Sequence, residues 1–170
     1  MNPGELPAFY LARNLRSSER VAARLDRLCR DLAPLFPLTA VSVDGLPEDS
    51  VVRLDAFVKR FEQLQSTLAE GVFRGIALVE GYDPATLSRR DLADLMEKLG
   101  ALASSARWTA ITLLRNRLAH AYPEEPDTQA ARLNEAFAAT PDLLAAAAAA
   151  HRYVVAKGRV PLGGDGGPVP

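Results

Sequence analysis

Apolar residues in this chain recur at intervals of three and four, seldom of two, and prolines cut the pattern into segments. That spacing lines one side of a helix, whereas a half-buried strand needs strict alternation. Leu11, Leu15, Ala22, Leu25, Cys29 and Leu32 make one such stripe, so residues 5–32 are expected as a helix, stopped by Pro34 and Pro37. Residues 33–49 carry three prolines and "DGLPED", and are expected as a linker. The one strand-like run, "LTAVSVDG", is assigned to its loop.

A second stripe of Leu54, Phe57, Val58, Phe61, Leu64, Leu68 and Val72 starts a helix near Ser50 that runs to Glu80. Gly71 and Gly75 within it are either soft points or places of close helix approach. "GYDPAT" is a turn. Ser88 with Asp91 opens a helix that ends at Gly100, because a hydroxyl and a carboxylate serve free N–H groups of a first turn. The next helix spans about 103–121 and is broken by Pro123 and Pro126. A short helix is expected over 127–138, then a last one from Thr140 as N-cap, with Pro141 at its first position, to about Ala156. The alanines of 145–150 are read as strong helix formers packed closely on a neighbour. The tail "GRVPLGGDGGPVP", residues 158–170, lacks side chains with which to bury itself and is expected to be disordered. The expectation is one all-α domain over residues 1–157, an up-and-down bundle of about five or six helices.

Composition narrows the function classes. With 20 basic and 21 acidic residues there is no overall field to attract a polyanion. The single cysteine, Cys29, excludes an internal disulfide and fits a reducing compartment. The first residues lack the pattern of a secretory signal, and no apolar run is long enough to cross a bilayer. A cytoplasmic protein without a membrane partner is therefore expected.

The chemistry concentrates in "LLRNRLAHAYPEEP", residues 113–126. On a helical wheel at ~100° per residue, Ile111, Leu114 and Leu118 form the core stripe, and Arg115 and Tyr122 sit at its edge. Asn116 and His120 stack on a separate face, with Leu113 close by. A second mixed face asks for a second partner, and another protomer is the simplest one. Histidine can take or give a proton near neutral pH, and arginine holds an anion in a rigid fork of donors. Those are the parts that metal-independent RNA cleavage requires. A base takes the 2′-hydroxyl proton, that oxygen attacks the adjacent phosphorus, and a cation steadies the developing charge. The competing reading of the same side chains is a solvated arginine and a satisfied histidine.

The order of residues in "RNRLAHAY" resembles the signature of the HEPN superfamily of helical domains, and more narrowly the R-x-x-x-x-H-x-Y of HepT-like toxins. The resemblance covers roughly residues 50–125, including the long helix before the motif. It implies a homodimeric, metal-independent endoribonuclease whose two motifs share one cleft. Arg115 would be the phosphate and transition-state cation, His120 the acid–base group, and Asn116 an orienting group. The resemblance also implies a nucleotidyltransferase antitoxin, which in some members transfers AMP to the motif tyrosine, here Tyr122. No metal or cofactor is implied. The rival keeps the fold without the chemistry, as a helical module that binds nucleotide or a nucleotidyltransferase.

Arg13, Arg16, Arg20, Arg24 and Arg27 fall within roughly 80° of one another on the first helix, opposite its apolar stripe. They are either a track for RNA phosphates or a solvated face partly neutralised by Glu19, Asp26 and Asp31. His151 and Tyr153 lack a partner pattern and are read as structural, and Asp83, Asp91 and Asp94 lack metal-ligand spacing.

Overall fold

The computed structural model describes residues 5–119, 125–158 and 160, and among them it is all-helical, without strands. Helix α1 (Glu5–Leu32) buries the expected stripe, with Leu11, Leu15, Leu25 and Leu32 at most 2 % exposed. Pro34 then tightens the chain into a 3-10 turn over Ala33–Leu35. Phe36 stacks on Phe137 with ring centroids 3.9 Å apart. The backbone of Leu38 exchanges two hydrogen bonds, of 2.8 and 2.9 Å, with the side-chain amide of Asn134. The linker is thus pinned to the last helix. Within it "LTAVSVDG" corrects the expectation of a loop, because Ala40–Asp44 is a short helix, α2. Thr39 and Ser42 form a reciprocal capping box there, which supplies the partners a single turn needs.

Helix α3 (Glu48–Ser66) continues through a π-helical segment (Thr67–Phe73) into α4 (Arg74–Val79), one rod over the expected range. Its glycines are places of close approach. A Cβ on Gly71 would stand 2.5 Å from Asn14 Oδ1, and one on Gly75 would stand 3.0 Å from a Leu11 methyl. The π widening is absent from the sequence reading. Helix α5 (Arg89–Leu99) starts at the expected Ser88–Asp91 capping box and ends at Gly100, which adopts φ 82°. The hydroxyl and N–H of Ser88 hold the Asp91 carboxyl below its usual pKa. Helix α6 (Ser105–Ala119) buries Trp108, Ile111, Leu114 and Leu118. Its start is capped from α5, since Ser105 N donates to Glu97 Oε2 at 2.6 Å.

The two helices expected on either side of Thr140 are one, α7 (Pro126–Lys157), with Pro141 inside it. Thr140 does not cap. It is buried, and its hydroxyl donates to Ala136 O at 2.8 Å. Leu133, Ala136, Thr140, Leu143, Ala147, Ala150 and Val154, all buried, alternate by three and four across the proline without a slip. Burying that unbroken stripe offsets the ~3 kcal/mol that an interior proline costs a helix. The alanine run does pack closely, with Ala146, Ala147 and Ala150 buried. Of the expected tail, Gly158 and Val160 are described, and Val160 is buried in the core; the rest of that expectation lies outside the described residues. The buried residues form a single core shared by the helices.

Candidate functional site

Helix α6 carries three arginines between Ser105 and Ala119, and they have different surroundings. Arg107 and Arg117 reach α7, at 3.6 Å from Asp142 and 2.9 Å from Glu135. Arg115 turns the other way. Its Nη1 donates to Asn116 Oδ1 at 3.3 Å, and its Nε is buried without an acceptor among the described residues. It makes no ion pair among them. A buried donor left without an acceptor is costly, and an anion entering beside it would relieve that cost.

Arg115 and Asn116 line a cleft of about 800 Å³ between α6, α5 and the end of α3 with its π segment. The cleft is built from contacts far apart in sequence. Gln65, only 4 % exposed, donates to Thr112 Oγ1 at 3.0 Å and ties α3 to α6 one turn before Arg115. Phe73 of the π segment packs edge-on against Trp108, with ring centroids 4.8 Å apart. Wheel arithmetic places Trp108 and Arg115 almost in line, two turns apart.

Three further arginines line the same cleft: Arg74, Arg89 and Arg90. Among the described residues the carboxylates lining it are Glu70 and Asp94, so described cations outnumber anions two to one in a chain whose net charge is −1. Arg74 pairs with Glu70 at 2.9 Å, and Arg89 approaches the same carboxylate at 3.8 Å. The sequence reading missed these three arginines and Gln65. A signal was present in Arg89 and Arg90, because two cations in the first turn of a helix oppose its dipole. Arg74 stands four residues after Glu70, a spacing that reads as an ordinary surface ion pair.

Of the motif residues, the structure brings Arg115 and Asn116 together at the cleft, while His120 and Tyr122 lie outside the described residues. Leu113 is 59 % exposed, on the opposite side from the core stripe of α6. The five α1 arginines are all exposed and apart from the cleft lining. His151 bonds Glu19 at 2.9 Å and joins α7 to α1, a structural role, and Tyr153 is buried. The carboxylates of Asp83 and Asp91 both accept capping hydrogen bonds, from Ala85 N and Ser88 N, and no three His, Cys, Asp or Glu side chains converge as metal ligands among the described residues. No described helix is long and apolar enough to cross a membrane. Comparison with protein-family models, with curated proteins and with solved structures found no match for this chain.

Proposed function

We propose that this chain is a metal-independent endoribonuclease of the HEPN type, the toxin of a toxin–antitoxin pair. The observation that carries the reading is Arg115, whose buried Nε lacks an acceptor among the described residues at an arginine-lined cleft, in a motif that continues to His120 and Tyr122. In this mechanism His120 accepts the proton of an RNA 2′-hydroxyl. The freed oxygen attacks the adjacent phosphorus, and the bond to the 5′-oxygen breaks as that oxygen takes up a proton. Arg115 stabilises the charge that builds on the phosphoryl oxygens. Asn116 holds the Arg115 fork from beside it. The 2′-hydroxyl confines the reaction to RNA.

A second protomer completes the site. Leu113 and Asn116 belong to the face of α6 turned from the core, and a homodimer formed there brings two motifs to one cleft. The cognate partner is a nucleotidyltransferase that silences the toxin by transferring AMP to Tyr122. The test is cleavage of RNA in the presence of EDTA. Wild type is expected to cleave, and Arg115→Ala and His120→Ala are expected to be inactive with native circular dichroism. Wild-type protein that binds RNA or nucleotide but never cleaves would instead support the non-catalytic module.

A further inference from the structure

Arg13, Arg16, Arg20, Arg24 and Arg27 are exposed along one side of α1. At 1.5 Å per residue they form a line of about 21 Å, and at 100° per residue a band of about 80°. Of the acids on the same helix, Asp26 is held by Arg30 at 2.8 Å and Glu19 by His151 at 2.9 Å, while Asp31 stands one turn beyond Arg27, at the far end of the row. None of the five makes an ion pair among the described residues. Successive like charges three and four apart repel, so the row disfavours its own helix unless an anion covers it.

One end of the row is linked to the cleft wall through Tyr10. The Arg13 guanidinium lies 5.8 Å from the centre of the Tyr10 ring, and the Tyr10 hydroxyl donates to the Glu70 carbonyl at 3.0 Å. Glu70 is on the cleft wall beside Arg74 and Arg89. Phe9, four residues before Arg13 in the same sector, is 56 % exposed and offers a ring on which a base can stack.

We infer that α1 is a docking track for the phosphate backbone of single-stranded RNA, leading the strand to the Arg115 cleft. Guanidiniums suit phosphate, and a row of them with an aromatic at its end matches how single strands are held. A protein partner fits less well, because protein interfaces centre on apolar and aromatic side chains. Between Arg13 and Arg27 no large apolar side chain is exposed. That the strand is RNA rests on the ribonuclease reading, whereas the track rests on charge and geometry.

The probe is a fluorescent 20-nucleotide RNA with 2′-O-methyl groups, which cannot be cut through its 2′-oxygens. Its binding is read by anisotropy across a range of salt concentrations. Two triple variants are compared with wild type: Arg16→Gln/Arg20→Gln/Arg24→Gln on the track, and Arg53→Gln/Lys59→Gln/Arg152→Gln at exposed positions elsewhere. All the substituted side chains are exposed, and circular dichroism verifies the fold. Each lost single-strand phosphate contact removes ~0.7 from the slope of log affinity against log salt, so the track variant should lose about 2. It should also bind about tenfold or more weakly at low salt, and the other variant should stay near wild type. Equal losses in both variants overturn the track, because net charge alone then explains binding. Wild type that fails to bind the probe overturns it too. Unchanged binding in the track variant overturns it and leaves the row to an acidic protein surface. The assay does not read cleavage, so failure of the ribonuclease reading is scored separately.

Discussion

Arg115 Nη1 donates to Asn116 Oδ1 at 3.3 Å while the Nε of the same guanidinium is buried with no acceptor among the described residues. Adjacent residues on a helix diverge, so this contact requires the Arg115 side chain to fold along the helix surface. A guanidinium placed for stability would reach a carboxylate, as Arg107 and Arg117 do. Arg115→Ala should therefore leave the melting temperature unchanged or raise it, since an unsatisfied buried donor costs about 1–3 kcal/mol. Cleavage should fall by about 10²–10³-fold, the usual cost of losing one donor to a transition-state oxyanion. Arg115→Lys keeps the charge without the fork and should recover only part of the rate. A marked drop in melting temperature would assign Arg115 to structure.

Leu113, 59 % exposed near Asn116, should be buried in the proposed homodimer. Burying a leucine contributes about 1.5–3 kcal/mol, so Leu113→Glu should weaken the dimer by about tenfold or more. Light scattering at micromolar concentration should then show monomer, with cleavage lost in parallel. A wild-type monomer that cleaves RNA contradicts this assembly.

Tyr122 is immediately followed by Pro123, two residues after His120. A tyrosine hydroxyl is a poor proton shuttle at neutral pH, which points to regulation instead of catalysis. On the proposed reading, AMP on Tyr122 would add a bulky anion to the motif that competes with RNA phosphate for Arg115. Co-expression with a nucleotidyltransferase encoded beside it should raise the mass by one or more AMP units and stop cleavage. Tyr122→Phe should escape both effects and remain toxic. Full silencing with Tyr122 unmodified would mean that the partner acts by masking.

Gly71→Ala should destabilise the fold. Its Cβ would meet Asn14 Oδ1 at 2.5 Å and Asn14 Cγ at 2.6 Å. Overpacking of this kind costs about 1–3 kcal/mol and outweighs the roughly 1 kcal/mol that alanine gains over glycine in a helix. Pairing it with Asn14→Ala should return part of the loss in chemical denaturation. Gly45→Ala, whose nearest contact would be an ordinary 3.5 Å, is the control.

The Glu97 carboxylate, which accepts from Ser105 N, is held below its usual pKa of 4.5 chiefly by that backbone hydrogen bond. A carboxyl whose pKa is lowered by folding stabilises the fold fully above the unfolded value. That contribution is lost as pH falls through the folded value. Glu97→Gln should therefore melt below wild type at neutral pH, and the gap should close on acidification below pH 4.5. A gap independent of pH would show that the charge of Glu97 is not what caps α6.

Local chemistry made much of this protein legible in its sequence. The apolar stripes of α1 and α3, the Ser88–Asp91 cap and Gly100 placed helices where the structure has them, because periodicity and capping act within a turn or two. The same reasoning put Arg115 at the edge of the α6 core stripe. It failed at Pro141, where a local rule broke the helix but one packing stripe runs straight through. It left Gly71 and Gly75 undecided, because only the seating of α1 against them distinguishes a soft point from a close approach. Nor could it gather Arg74, Arg89 and Arg90 around Arg115. Those residues meet through contacts such as Gln65 with Thr112, 47 positions apart, and Tyr10 with Glu70, 60 apart. Helix spacing in a sequence defines which face is apolar, but which helix covers that face is chosen by side-chain packing across the whole core.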